Sequence, residues 1–398
     1  MKGKIKRISF KEIELNNGFW YNRQKIISET SIYSIWRRFT ETGRFDAFNF
    51  QWEEGKPNKP NIFWDSDIAK WIEAVAYILE KKEDSVLEAA VDEIVDLIEK
   101  NQEADGYFNV YFTVVEPQAR WKRRTEHELY CAGHLIEAAV AYFEATGKDK
   151  FLNSMKKFVL HIEKTFMIDK SAAFVTPGHE EIELALVKLY RCTGEKKYLE
   201  LSKFFIDNRG SNKRDKYYPG VNSRYAQDHL PVRQQSTAEG HSVRATYLYC
   251  GMADLAFEYE DKELFAACRK IFENIVNRRM YITGGIGSSH VGEAFTIDYD
   301  LPNLTAYTES CAAIGLAYFA SRMLLLDVDS IYGDITERIL YNGFLSSISL
   351  DGKSFFYENP LEIHPELVNR DISVETGKSR YPITQRKEVF DCSCALQI

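Results

Sequence analysis

One arrangement recurs along the chain and restricts its fold more than any other feature: an apolar-periodic helix, a tight charged turn, then a second such helix. The turns are EKKEDS near Glu83, ATGKDKF near Gly147, CTGEKKY near Gly194 and EYEDKEL near Asp261. The segments after them, LEAAVDEIVDLI, FLNSMKKFVLHI, YLELSKFFI and LFAACRKIFENIV, carry apolar residues at helical spacing. These are αα-hairpins about 45 to 70 residues apart, and such hairpins either stack into a solenoid or close into a toroid. Closure is the better reading, because the unusual chemistry is concentrated in the long return loops, which in a toroid rim one face. The fold class expected is all-α, a helical toroid occupying residues 1–398 as a single domain.

The remaining elements are less regular. A short strand is expected over residues 5–15, followed by a helical pattern with Ile26, Ile27, Ile32 and Trp36 on its buried stripe. The Pro-, Asn- and aromatic-rich stretch FNFQWEEGKPNKPNIFWDSD reads as a loop. Its closing Asp65 and Asp67 are expected to cap the next helix, since a short polar side chain can accept hydrogen bonds from first-turn N–H groups.

The loop chemistry is richest over 284–311, GGIGSSHVGEAFTIDYDLPNLTAYTESC. Glu293 follows a glycine in a loop, whereas Glu309 and Cys311 stand where polar sequence gives way to the apolar run AAIGLAYFASRMLLL. A carboxylate and a thiolate two residues apart can both coordinate zinc, with further ligands supplied from elsewhere. Cys392 and Cys394, in FDCSC, are the obvious source. Each residue also has an ordinary explanation: a cysteine at a helix start is more often a small buried hydrophobe, and a loop glutamate is usually solvated.

Histidines supply a second pattern. His127, His134, His179 and His241 fall at the starts of inner helices, three of them beside acids, in EHE, GHEEIE and EGH. Structural histidines at helix starts are common, but polar groups at equivalent positions of a repeated unit converge on one pocket, as recognition of a polyhydroxylated ligand requires. HELYCAGH is not a zinc-protease signature, which places two histidines one helical turn apart; here the spacing is seven.

Composition narrows the partners. With 45% hydrophobic and 14% aromatic residues the chain is globular, and its rings suit sugar faces as well as a core. A net charge of −8 without a sustained Lys/Arg block argues against nucleic acid or an anionic membrane. The start, MKGKIKRISFKEIEL, lacks an apolar core segment, and seven scattered cysteines do not form a disulfide framework. A cytoplasmic protein acting on a small neutral molecule is expected, with a homo-oligomer left open.

The motifs HELYCAGHLIEAAVAYFEATG, GHEEIELALVKLYRCTGEKKYLELSKFFIDNRG, GHSVRATYLYCG, YITGGIGSS, GEAF, YTESCAAIG and FDCSC together resemble the glycoside hydrolase family of β-L-arabinofuranosidases, family 127, from about Phe19 to Cys394. The resemblance implies an (α/α)6 catalytic barrel, usually followed by β-sandwich domains, that cleaves non-reducing β-L-arabinofuranosides with retention. Residue by residue it implies Glu293 as general acid/base and Cys394 as a nucleophile that also touches zinc. Glu309 and Cys311 correspond to zinc ligands, and His127, His179, His241 and Tyr357 to positions that contact the sugar or orient the site. Asp65 and Asp67 gain no role.

The family's terminal motif is Cys-x-Cys-Cys, whereas this chain reads Cys392-Ser393-Cys394-Ala395. The expected site therefore keeps Glu309, Cys311 and Cys394, with Cys392 or water as substitutes for the fourth ligand. The closing barrel helix and the β-sandwich domains are expected to be missing, which predicts weak zinc affinity and low activity. Two other readings stand beside this one: an inactive carbohydrate-binding remnant, and a metal-free (α/α)6 hydrolase or lyase.

Overall fold

The computed structural model describes residues 8–212, 214–215, 223–364 and 386–388. Thirteen α-helices lie among them: α1 (Gly18–Ile26), α2 (Ile32–Glu41), α3 (Trp64–Leu79), α4 (Ser85–Asn101), the single turn α5 (Tyr111–Val114), α6 (Glu128–Thr146), α7 (Lys150–Glu163), α8 (Ile182–Thr193), α9 (Lys196–Asn208), α10 (Ser242–Glu258), α11 (Lys262–Asn274), α12 (Ser310–Leu326) and α13 (Ser330–Arg338).

All four sequence-identified turns join an inner helix to an outer one, and each has a visible local cause. Gly147 and Gly194 end α6 and α8 in the left-handed conformation, φ 75° and 74°, which glycine adopts without penalty. Asp84 and Asp261 start α4 and α11 by accepting hydrogen bonds from the second and third N–H groups. A fifth hairpin, α12 to α13, uses Asp329 in the same way.

Inner and outer helices differ in composition because they differ in surroundings. Helices α3, α6, α10 and α12 are buried over most of their circumference, charged side chains included; α10 is enclosed from Ser242 through Ala256. The outer helices α4, α7, α9, α11 and α13 bury one stripe each. Successive inner helices pack side by side, α3 on α6, α6 on α8, α8 on α10 and α10 on α12. Small residues allow the closest approach: a Cβ at Gly315 of α12 would overlap Oγ1 of Thr246 on α10. This is the layered, all-α toroidal architecture expected from the repeats.

Two local expectations fail. No strand occurs among the described residues, and Phe10–Glu12 instead forms a 3-10 turn, with Ser9 accepting from the Lys11 N–H. Asp65 and Asp67 do not cap α3, which begins one residue earlier with Phe63 as its N-cap. Both carboxyls point into the protein: Asp65 accepts from the Val110 N–H at 3.0 Å, and Asp67 accepts from Arg44 Nε at 2.8 Å. Their burial makes these distant partners, not the helix's own N–H groups, the available donors. Of the expected stripe, Ile32 is buried and Ile26, Ile27 and Trp36 are half-buried.

Candidate active site

The loops preceding α6, α8, α10 and α12 meet at one mouth of the barrel. His241 is the N-cap of α10, and its Nδ1 accepts from the N–H groups of Val243 (3.2 Å) and Arg244 (3.5 Å). An accepting Nδ1 leaves the proton on Nε2, which donates to Glu293 Oε2 at 2.8 Å. Burial, first of all, lowers the His241 pKa, so the ring is a neutral donor.

Glu293 stands on a constrained loop. Its backbone is left-handed (φ 52°), as is that of Gly292 before it (φ 72°). A left-handed non-glycine residue costs about 1–3 kcal/mol, and the surrounding contacts hold it there. Ser242 Oγ donates to the Glu293 carbonyl at 3.0 Å, and the Phe295 N–H donates to the Gly240 carbonyl at 2.8 Å. The start of α10 therefore fixes both His241 and the loop bearing its partner.

The second oxygen of Glu293 accepts from the Tyr307 hydroxyl at 2.8 Å. Tyr307 leads into Glu309, the N-cap of α12, which is 2% exposed. The Tyr357 hydroxyl hydrogen-bonds the Glu309 carboxyl, and the Ser310 N–H donates to the Tyr357 carbonyl at 2.9 Å. Atoms of His241, Glu293 and Glu309 that could ligate a metal lie within 4.8 Å of one another. Two carboxyls so close do not ionise alike. Burial acts against ionisation of Glu293, but the hydrogen bond from His241, then that from Tyr307 and the charge of Arg244, hold it down to about 2. Burial and the charge of Glu293 push Glu309 well above the carboxylate range.

Two further histidines line the same mouth. His179 lies with its ring 5.6 Å from those of both His127 and His241. His127, left-handed at φ 56°, is driven to a pKa of about 3, by burial first and then by the Arg244 charge. His127, His179, His241, Glu293, Glu309 and Tyr357 are thus linked by one continuous series of contacts, with Cys311 buried in the first turn of α12. Cys392 and Cys394 lie outside the described residues. His134 departs from its group: it is two turns deeper, behind Tyr130, facing Glu181.

Sequence reasoning missed Tyr307, Arg244 and Tyr225. Tyr307 belongs to the quoted YTESC motif, so the signal was present without a role attached. Arg244 donates to the Gly178 carbonyl and lies 5.1 Å from the Tyr225 ring centroid, while Tyr225 meets the His241 ring edge-on at 5.9 Å. Nothing in residue spacing predicts these contacts.

Residues 12–397 match the catalytic domain described as "Beta-L-arabinofuranosidase, GH127 catalytic domain". The chain belongs to this family. It is 40% identical over 354 residues to a non-reducing end β-L-arabinofuranosidase of Bifidobacterium longum subsp. longum, covering 84% of this chain and 53% of that protein. Its fold superimposes on a GH127 β-L-arabinofuranosidase of Geobacillus stearothermophilus T6 with a TM-score of 0.89 at 43% identity, covering 96% of this chain and 63% of the other. A second GH127 β-arabinofuranosidase gives a TM-score of 0.86 at 38% identity, covering 98% and 59%. The GH127 chain thus spans between about half and two thirds of the length of these relatives. At 13% identity, a cellobiose 2-epimerase of Spirochaeta thermophila shares the fold alone, with a TM-score of 0.52. No helix among the described residues is long and apolar enough to cross a membrane.

Proposed function

We propose that residues 1–398 act as one catalytic domain that releases L-arabinofuranose from the non-reducing ends of β-L-arabinofuranosides with retention of configuration. The observation that carries this reading is the setting of Glu293, gripped by His241 Nε2 and the Tyr307 hydroxyl within 4.8 Å of Glu309.

Glu293 protonates the departing glycosidic oxygen while the Cys394 sulfur bonds to the anomeric carbon. It then takes a proton from water as that water displaces sulfur, completing a double displacement with thiolate in the place of the second carboxylate. The two donors on Glu293 favour its ionised form, the one needed in the second step. For the first step it must gain a proton, which is easier once sugar hydroxyls draw His241 or Tyr307 away. His127, His179 and Tyr357 bind and orient the sugar, and the neutral state of His127 leaves its ring able to accept a hydrogen bond as well as donate one.

The donor chemistry suits zinc, with Glu309, Cys311 and Cys394 as ligands once the disulfide at Cys311 is reduced: a buried carboxyl whose ionisation costs energy and a buried cysteine sulfur in the same helical turn would then gain from a cation. When bound, zinc would keep sulfur as thiolate at neutral pH. Ala395 offers no donor, so affinity is expected to be weaker than a full set of four protein ligands would give.

Incubation with an aryl β-L-arabinofuranoside, with proton NMR following the first-formed anomer, tests the proposal. Release of the β-anomer first, lost on chelation and in Cys394→Ser, is expected. First release of the α-anomer, or full activity in Cys394→Ser, would overturn it.

A further inference from the structure

Deeper in the barrel lies a second convergence of ligand-type side chains that this reaction does not use. His134 and Glu137 stand three residues apart on one face of α6, and Glu181 faces them from the N-cap of α8. His134 and Glu181 are each 1% exposed. The His134 Nδ1 lies 3.3 Å from Glu181 Oε1, and with Glu137 the donor atoms all fall within 4.8 Å of one another. Neither ring nitrogen of His134 finds a hydrogen-bond partner of ordinary geometry among the described residues, and the Glu181 carboxyl lies against that of Glu137, a contact between two acids that only a shared proton or a cation satisfies. A buried polar group left without a partner costs roughly 1–3 kcal/mol.

The backbone makes room for this cluster. Gly133 has no side chain where a Cβ would stand 2.6 Å from Glu181 Cγ, so α6 can approach the acid closely. The cluster opens onto a cavity of about 400 Å³ whose lining carries five carboxylates and three cationic side chains, an excess of two negative charges if all are ionised. Arg191 and Arg322 pair with Asp254 at 2.9 and 2.7 Å, and Lys188 is shared between Glu73 at 2.5 Å and Glu137 at 3.5 Å. No lysine or arginine among the described residues pairs with Glu181.

We propose that His134, Glu137 and Glu181 bind one divalent first-row transition cation, which ties α6 to α8 beneath the active site. One imidazole and two carboxylates form a borderline-to-hard donor set of the kind that takes Mn²⁺, Fe²⁺ or Zn²⁺. Two donors each about 2.0–2.2 Å from one ion lie roughly 3–3.5 Å apart, the separation His134 and Glu181 already have. Glu137, half-buried at the cavity edge, closes the remaining gap by side-chain rotation. A charge of +2 offsets the excess of the lining and gives the orphaned atoms partners. The site is separate from the proposed catalytic mouth and linked to it through rings: His134 to Tyr130 at 4.5 Å, Tyr130 to His179 at 4.2 Å and His179 to His241 at 5.6 Å.

Mn²⁺ is the probe that separates the two regions, because it disfavours the thiolate ligands proposed for the catalytic zinc. The full chain is stripped with chelator, then titrated with Mn²⁺ while electron paramagnetic resonance reads the free ion and thermal unfolding reads Tm. One Mn²⁺ per chain is expected, with a Tm that climbs with the logarithm of free Mn²⁺. Both responses are lost in Glu181→Gln and in Glu137→Gln and kept in Glu309→Gln. Should Glu181→Gln fail to fold, Glu137→Gln at its more exposed position carries the comparison. Absence of a stoichiometric Mn²⁺ and of any Tm response in the unmutated chain would overturn the proposal, leaving a cluster satisfied by protons and water. So would binding that survives both substitutions.

Discussion

His241 and Glu293 are separated by 52 positions in sequence yet share a 2.8 Å hydrogen bond from Nε2 to Oε2, and the direction of that bond is fixed from the far side of the ring. The first N–H groups of α10 occupy Nδ1, so the proton sits on the nitrogen facing the acid. A helix N-terminus thereby sets the tautomer that holds the proposed catalytic carboxyl. Replacing His241 by Ala removes the donor to Glu293 and the cap of α10 together. A fall in kcat/KM of about 10²-fold or more is expected, with a stability loss of about 0.5–2 kcal/mol from the lost cap; steady-state kinetics and denaturant unfolding measure the two separately.

Tyr307→Phe isolates the other donor without disturbing a helix cap. Losing its hydrogen bond takes support from the ionised form of Glu293, whose pKa rises. The acidic limb of the pH profile for the step that needs the carboxylate moves to higher pH. An unshifted limb, with activity within a few-fold of the unmutated chain, would show that Tyr307 does not tune Glu293.

Gly315 tests the closeness of the inner ring. Ala in its place drives a Cβ into Thr246 at the contact of α10 and α12, and overpacking of this kind costs about 1–3 kcal/mol. Chemical denaturation of Gly315→Ala against the unmutated chain measures it. A change below about 0.5 kcal/mol would mean the two helices separate freely.

Glu128 gives a pH dependence of stability. Burial pushes its carboxyl from 4.5 up to about 8, in spite of hydrogen bonds accepted from the Trp121 N–H at 2.8 Å and the Tyr107 hydroxyl at 2.9 Å. Between those two values the folded chain keeps a proton that the unfolded chain has released. Glu128 therefore lowers stability as pH rises through that window, by up to roughly 1.4 kcal/mol per unit. Glu128→Gln removes this contribution, so the difference between the two unfolding curves should change with pH from about 5 to 8 and level off on either side.

The fold was legible because its punctuation is local. Gly147, Gly194, Asp84 and Asp261 each fix a helix end through their own backbone or side chain, and a reader of the sequence needs nothing distant to interpret them. Asp65 and Asp67 look the same on paper as those caps, but their partners are Val110 and Arg44, set by packing across the barrel. The site divided in the same way. Glu293, Glu309, His127, His179, His241 and Tyr357 were found through motifs, whereas the bonds joining Glu293 to His241 and Tyr307 depend on loop paths that spacing does not encode. His134 shares the setting of the other helix-start histidines in sequence, but seven residues along α6 carry it two turns below them.

The role of Glu293 is the central claim, and leaving-group dependence in Glu293→Gln tests it most directly. With aryl β-L-arabinofuranosides of increasing leaving-group pKa, kcat/KM of the variant should fall steeply, reaching a deficit of about 10²–10⁴-fold for the poorest leaving group while the unmutated chain changes little. A variant that stays within a few-fold of the unmutated chain across the whole series would contradict the assignment of Glu293 as the acid.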